Sequence, residues 1–172
     1  NVGVVGAVDE VIRVSREGGL PGVVTHIKAL GPRVWGYSAA LVRRIEQARA
    51  EGLEVYADQY PYEASGTSVT GALIPRWAQV GGREELIRRL NDDTDKLRVR
   101  QDVIENLERR GGAGRLQFRR YAPDPSIEGR TLGGVADERT MHPADLATEL
   151  LKEGNAGLVS FNMDTADVRV LM

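Results

Sequence analysis

The strongest constraint on this chain is a strand, a helix and a second strand that follow one another between residues 23 and 57. The apolar run Gly22-Val-Val-Thr-His-Ile27 predicts a buried strand, and Leu53-Glu-Val-Tyr-Ala57 predicts the next. Ser38 is the predicted N-cap of the helix between them. That helix carries four apolar residues on one face: Leu41, Val42, Ile45 and Ala48. Such a βαβ unit pairs its strands in parallel, so an α/β fold is expected.

Helix and strand patterns alternate along the rest of the chain. The predicted helices cover 7–17, 83–90, 94–110, 143–153 and the last residues from 164, and the further strands cover 115–119 and 157–161. Residues 122–129 contain two prolines and a glycine and are predicted to form a loop after a strand. Sites in α/β proteins lie at the C-terminal ends of parallel strands, so we expect a site near His26, near Asp58 and at this loop.

Composition restricts the chemistry that is open to the chain. It has no cysteine and two histidines, which excludes disulfides and thiolate metal sites and leaves His26 and His142 as the imidazoles. Acidic and basic residues are mixed and the net charge is -2, so neither nucleic acid nor an anionic membrane is an expected partner. No apolar run approaches the roughly 20 residues of a membrane span, and Asn1-Val-Gly-Val4 has neither a basic region nor a cleavage motif, which predicts a soluble, cytoplasmic segment.

The first candidate cluster is Val23-Val-Thr-His-Ile-Lys28, which places an imidazole and an amine at a strand end. Strand alternation predicts that His26 and Lys28 point to the same side, which in a barrel is the interior. Local sequence leaves two readings of His26 open, a metal ligand and a hydrogen-bonded structural histidine. His142 stands before Pro143 at a predicted helix start, where a capping or solvated role is favoured over a ligand role.

The second candidate cluster is Asp58-Gln-Tyr-Pro-Tyr62 at the end of the next strand. A carboxylate such as Asp58 can bind a metal, and the phenols of Tyr60 and Tyr62 can stabilise a developing oxyanion. The alternative is a rigid aromatic turn, which is favoured for each tyrosine taken singly.

Four segments in this order resemble the D-aminoacylase branch of the amidohydrolase superfamily. They are His26-Ile-Lys28, Trp35-Gly36, Asp58-Gln-Tyr-Pro-Tyr62 with Ser65-Gly-Thr67, and Arg120-Tyr-Ala-Pro-Asp-Pro-Ser-Ile-Glu-Gly129. The resemblance implies a (β/α)8 TIM barrel of the metal-dependent hydrolase type, with zinc as its metal. It also implies hydrolysis of an N-acyl-D-amino acid, a small-molecule substrate, to a carboxylate and a D-amino acid.

The same resemblance implies roles for individual residues. His26 falls on the metal-binding histidine of a Ser-His-x-Lys type motif, although Thr25 stands where serine is usual. No histidine follows at the end of the next strand, so Asp58 is a second candidate ligand, with Tyr60 or a weaker site as alternatives. The substrate-binding candidates are Lys28, Tyr60, Tyr62, Tyr121 and Ser126, the last two on the loop at 122–129 and its border.

Other parts of such a site have no counterpart in this chain. The resemblance implies a His-x-His pair on the first strand and a proton-shuttle Asp on the last strand, expected soon after Met172. A barrel needs about 250 residues, so we interpret 1–172 as a central to C-terminal part, with a helical insertion around 83–112. We therefore expect a piece of a longer enzyme that is inactive alone and that protects its unpaired sheet edges by self-association.

Two other functions compete with this interpretation. One is a cyclic-amide hydrolase of the dihydroorotase or hydantoinase type, for which the loop from Tyr121 to Gly129 is a poor match. The other is a non-catalytic α/β binding or assembly module, which the low histidine count and the absence of cysteine support.

Overall fold

The computed structural model describes residues 2–172 and divides them into two compact units. Unit 1 contains the residues up to Glu63 together with Met163–Met172, and unit 2 contains Ala64–Asn162. In chain order the elements are α1 (Val2–Gly18), β1 (Gly22–Val24), α2 (Ser38–Ala50), β2 (Val55–Ala57), β3 (Ala64–Ser68), α3 (Val69–Leu73), α4 (Arg76–Gln79), α5 (Gly82–Asn91), α6 (Asp93–Arg109), β4 (Leu116–Arg120), α7 (Leu132–Glu138), α8 (Pro143–Glu153), β5 (Gly157–Phe161) and α9 (Thr165–Leu171).

Unit 1 is built on the predicted βαβ arrangement. β1 and β2 pair in parallel, with Gly22 opposite Val55, which confirms the prediction. The apolar faces of α1 and α2 pack with β2 into one core, whose buried members include Val8, Ile12, Leu41, Ala48 and Val55. Alternation along the strands turns Val23 and Tyr56, which are paired in register, away from that core. Their side chains remain 52% and 46% exposed, so this surface of the strand pair is apolar and uncovered within unit 1.

The N-terminus of α2 is capped from a distance rather than locally. Ser38 is the first helical residue and makes no side-chain cap, so its predicted capping role was wrong. Asp167 of α9 supplies the acceptors: its Oδ1 accepts the Ser38 N–H at 3.2 Å and its Oδ2 accepts the Gly36 N–H at 2.7 Å. Gly36 has φ 85°, a left-handed conformation that glycine adopts without steric cost. The carboxylate that caps α2 is thus 131 residues away from Gly36 in sequence.

Unit 2 contains a three-stranded antiparallel sheet in the order β3-β5-β4. The two strands predicted at 115–119 and 157–161 are present, but they run antiparallel instead of as parallel barrel strands. β3 was not predicted, because Ala64-Ser-Gly-Thr-Ser68 lacks the apolar alternation of a strand. It lies at a sheet edge, where its backbone pairs with β5 from Ala64 opposite Phe161 to Ser68 opposite Gly157.

Helices cover this sheet and provide most of the core of unit 2. α5, α6 and α8 agree with their predicted positions, because each has a clear apolar face and a local cap or stop signal. His142 is the N-cap of α8, and its Nδ1 accepts the Ala144 N–H at 3.1 Å, which confirms the capping interpretation. The helices predicted at 83–112 therefore lie inside a larger unit that also contains β3, β4 and β5. Among residues 2–172, no helix combines the length and apolar character that a membrane crossing needs.

Candidate functional site

The first part of the site is a turn that follows β1. The strand ends at Val24, residues 25 and 26 form a turn, and His26 has φ 53°. The prediction that His26 and Lys28 lie on one side was based on strand alternation. That basis was wrong, because the chain has left the strand before His26. A left-handed conformation costs a residue with a Cβ about 1 kcal/mol or more. Contacts around the turn must offset that cost.

Asp58 provides those contacts from the end of β2. The His26 N–H donates to Asp58 Oδ1 at 2.6 Å, and the Ile27 N–H donates to the Asp58 carbonyl oxygen at 3.0 Å. The Asp58 N–H in turn donates to the Val24 carbonyl oxygen at 3.3 Å. Through its backbone and its side chain, Asp58 thus continues the pairing of β1 with β2 beyond the last residues of the strands. The two predicted strand ends are thus joined at His26 and Asp58.

An aromatic and amine cluster lies next to this turn. Lys28 Nζ donates to Tyr60 Oη at 2.9 Å and also lies 4.9 Å from the centre of the Tyr60 ring. The His26 imidazole packs edge-on against the Tyr60 ring, with ring centroids 5.5 Å apart. The Tyr62 ring stacks on the Tyr60 ring, with centroids 6.3 Å apart. Five predicted site residues, His26, Lys28, Asp58, Tyr60 and Tyr62, therefore form one surface cluster. Both clusters inferred from the sequence come together because parallel strands end at the same edge.

The donor atoms of the cluster fit only part of a zinc site. The imidazole of His26 is exposed, so it is accessible to an ion, and Asp58 retains Oδ2 beyond the oxygen that accepts the His26 N–H. Protein zinc sites use three or four N, O or S ligands. Within residues 2–172 no group of three His, Cys, Asp or Glu side chains is arranged to hold a metal. The described residues therefore fit as contributors to a zinc site and do not complete one.

An apolar cleft of about 290 Å³ borders His26 and Lys28. Its walls come from α1 and α2 and include Val8, Val11 and Leu41. The candidate cluster thus lies at the edge of the unit 1 core, where side-chain packing fixes the backbone that carries it.

Tyr121 and Ser126 belong to unit 2, and both have local structural partners there. Tyr121 is 1% exposed, its Oη donates to the Leu150 carbonyl oxygen at 2.9 Å, and burial raises the pKa of its phenol. Ser126 is exposed, and its hydroxyl and N–H both donate to Asp124 Oδ1. The Ser126 hydroxyl is the main reason that the pKa of Asp124 is lowered, with Arg139 as a further contribution. Substrate binding by either residue stays a prediction, and the geometry of Tyr121 assigns that side chain to the core.

Sequence reasoning did not identify the contact between the Asp58 side chain and the His26 backbone, nor the cap provided by Asp167. Both carboxylates bind backbone N–H groups far away in sequence. The only local signal was the position of Asp58 directly after a strand, which does not distinguish a metal ligand from a backbone acceptor.

Two curated relatives align with nearly the whole chain. It is 31% identical to an N-acyl-D-glutamate deacylase of Alcaligenes xylosoxydans xylosoxydans over 163 residues, which cover 95% of this chain and 25% of the relative. It is 28% identical to a D-aminoacylase of the same organism over 169 residues, which cover 98% of this chain and 27% of that protein. No protein-family model matches the chain.

Solved structures of the same kind of enzyme share the fold. A D-aminoacylase studied for its binuclear metal centre matches with a TM-score of 0.64 and 30% identity, over 96% of this chain and 27% of that one. The N-acyl-D-glutamate deacylase of Bordetella bronchiseptica, in complex with zinc and a phosphonate inhibitor, matches with a TM-score of 0.66 and 28% identity, over 98% and 27%. Over nearly its whole length the chain is thus similar to N-acyl-D-glutamate deacylases and D-aminoacylases, and it spans about a quarter of the length of these proteins.

Proposed function

We propose that this chain forms part of a metal-dependent amidohydrolase that converts N-acyl-D-amino acids into a carboxylate and a free D-amino acid. The observation that carries the proposal is the cluster of His26, Lys28, Asp58, Tyr60 and Tyr62 at the ends of two parallel strands. Both curated relatives are deacylases of this kind, which supports the same reaction here.

In this proposal β1 and β2 are neighbouring strands of a (β/α)8 barrel. Their parallel pairing supports it, as does the packing of α1 and α2 against one surface only. The exposed Val23 and Tyr56 would then point into the barrel, whose interior is filled by side chains from other strands. Unit 2 would be an insertion between β2 and α9, larger than the segment 83–112. Without the remaining strands, the free edges of the β1–β2 pair favour self-association of this chain and leave it inactive.

His26 is the zinc ligand that this chain contributes in the proposed site. A divalent ion held in part by His26 would lower the pKa of a coordinated water and polarise the acyl carbonyl of the substrate. The exposed imidazole and its place at a strand end support the assignment. The zinc-containing deacylase structure, which matches 98% of this chain, supports zinc as the metal.

Lys28 and Tyr60 form the substrate-binding pair of the proposal. A lysine ammonium only donates hydrogen bonds, so in the 2.9 Å contact Tyr60 Oη is the acceptor and its own O–H is left to donate elsewhere. That hydroxyl and the two remaining Lys28 N–H groups present donors that suit the carboxylate or the acyl oxygen of an N-acyl amino acid. Tyr62 stacks against Tyr60 and restricts the orientation of its ring.

The test uses the longer protein that the proposal requires, loaded with zinc and supplied with a panel of N-acyl-D-amino acids. N-acyl-L-amino acids and cyclic amides are included, so that a hydantoinase-type activity would be detected. We expect release of D-amino acids that stops when zinc is removed. If only cyclic amides are hydrolysed, or if no substrate is, the proposed reaction is wrong.

The two histidines allow a matched control for the metal ligand. His26→Asn keeps a residue that tolerates positive φ but removes the imidazole, and His142→Asn makes the same change at a helix N-cap, where asparagine also caps. We expect bound zinc and activity to be lost in H26N and kept in H142N. Equal zinc content in both variants would contradict the assignment of His26.

A further inference from the structure

We propose that Asp58 is a positioning residue for His26, and that its carboxylate holds the turn after β1 rather than binding the metal. This inference rests on the proposed function in so far as His26 is the zinc ligand. It assigns to Asp58 a different role from the second-ligand role that its place in the sequence suggests.

His26 has an unusual backbone conformation. Its φ of 53° lies in the left-handed region, which residues other than glycine rarely adopt. The direction in which the imidazole leaves the backbone depends on that conformation, so whatever stabilises the turn also decides where the ring lies. Among residues 2–172, the one other non-glycine residue with positive φ is Thr140 in unit 2.

Asp58 contacts the turn and the residues that flank it at three points. Its N–H reaches the Val24 carbonyl oxygen, its Oδ1 accepts the His26 N–H, and its carbonyl oxygen accepts the Ile27 N–H. The side-chain contact, at 2.6 Å, is the shortest of the three, and a carboxylate acceptor makes such a bond stronger than one between neutral groups. Asp58 thus accepts the N–H of His26, the residue in the left-handed conformation, and the N–H of Ile27, which follows it.

Asp58 offers a metal fewer free oxygen sites than an unbonded carboxylate does. Its Oδ1 already accepts the His26 N–H, so an ion bound through that oxygen would compete with the bond that holds the turn, and Oδ2 is the oxygen without that role. Loss of the bond would in turn remove the support of the imidazole that is to bind the same ion. A role in orienting the ligand avoids this conflict, and loss of residues that orient metal ligands commonly lowers metal affinity by about 10–100-fold.

The first experiment tests the geometry in this chain without any metal. Labelling with 15N-histidine gives two backbone amide signals, from His26 and His142, because the chain has two histidines. Hydrogen exchange is compared among the wild type, Asp58→Asn and Asp58→Ala. We expect the His26 amide to exchange about 10–100-fold faster in D58A, the effect of losing a hydrogen bond to a charged acceptor, and to stay largely protected in D58N. The His142 amide serves as the internal control and should not change.

The second experiment measures zinc affinity in the longer protein with the same variants, and Glu46→Gln serves as a control for loss of one exposed carboxylate on α2. D58A should bind zinc about 10–100-fold more weakly, whereas D58N should keep most of the affinity because its Oδ1 can still accept the His26 N–H. If D58N loses zinc as completely as D58A while the His26 amide stays protected, Asp58 is a ligand and the inference is overturned. Unchanged exchange in D58A would also overturn it. If the wild type binds no zinc, the proposed function fails, and the exchange data still decide whether Asp58 holds the turn.

Discussion

Replacing Asp167 should destabilise unit 1 far more than replacing an ordinary helix cap. Asp167 is 4% exposed, and its two oxygens accept the N–H groups of Gly36 and Ser38. In Asp167→Ala the loss of a cap costs about 1 kcal/mol. The N–H of Ser38 also loses its acceptor, and because Ser38 has no exposed surface this costs about 1–3 kcal/mol more. We therefore expect the free energy of unfolding to fall by about 2–4 kcal/mol.

Asp164→Ala is the matched control, because Asp164 caps α9 locally through the Ala166 N–H at 2.8 Å. Its loss should cost about 1 kcal/mol, as for other exposed N-caps. Urea denaturation is followed by the fluorescence of Trp35, with Trp77→Phe in every variant so that the signal reports on unit 1. If D167A and D164A shift the unfolding midpoint equally, the long-range cap does not contribute as the structure indicates.

Three further predictions concern single groups. Tyr60→Phe should raise the KM for N-acyl-D-amino acids in the longer protein, because the O–H that Lys28 leaves free is removed; an unchanged KM excludes substrate contact. Tyr121→Phe should lower the stability of unit 2 by about 1 kcal/mol, because the Leu150 carbonyl loses one of its two donors and keeps only the Gly154 N–H, and should leave KM unchanged if Tyr121 is a core residue. The pKa of Asp92 is lowered by N–H donors at the start of α6, so its cap stabilises at neutral pH and is lost as pH falls through that lowered pKa. In acid denaturation curves, Asp92→Asn should therefore lose less stability than the wild type as the pH falls below about 4.

Local sequence was sufficient for the elements whose signals lie within a few residues. α5, α6 and α8 have apolar faces of helical period and begin or end at clear caps, so their positions follow from interactions within one or two turns. The β1–α2–β2 unit was predictable for a similar reason, since its two apolar runs flank a helix of suitable length. From that unit alone it followed that His26 and Asp58 would lie at one edge.

Tertiary contacts decided the features that depend on residues far apart in sequence. β3 has no apolar pattern of its own and becomes a strand because β5 supplies its hydrogen bonds. The antiparallel sheet of unit 2 likewise depends on a pairing choice that alternating helix and strand patterns do not specify. Tyr121 lies on a segment that resembles a substrate loop, yet its hydroxyl is bonded to Leu150 in a buried core.

At the candidate site, the sequence determined which chemical groups are present and which strand ends carry them: one imidazole, one amine, one carboxylate and two phenols. The tertiary structure decided how they are used. His26 leaves the strand in a left-handed turn, the Asp58 carboxylate accepts its N–H, and Lys28 donates to Tyr60. The physical reason is that residue type is encoded locally, whereas the hydrogen-bond partners of His26 and Lys28 are each 32 residues away and come within reach only after β1 and β2 have paired.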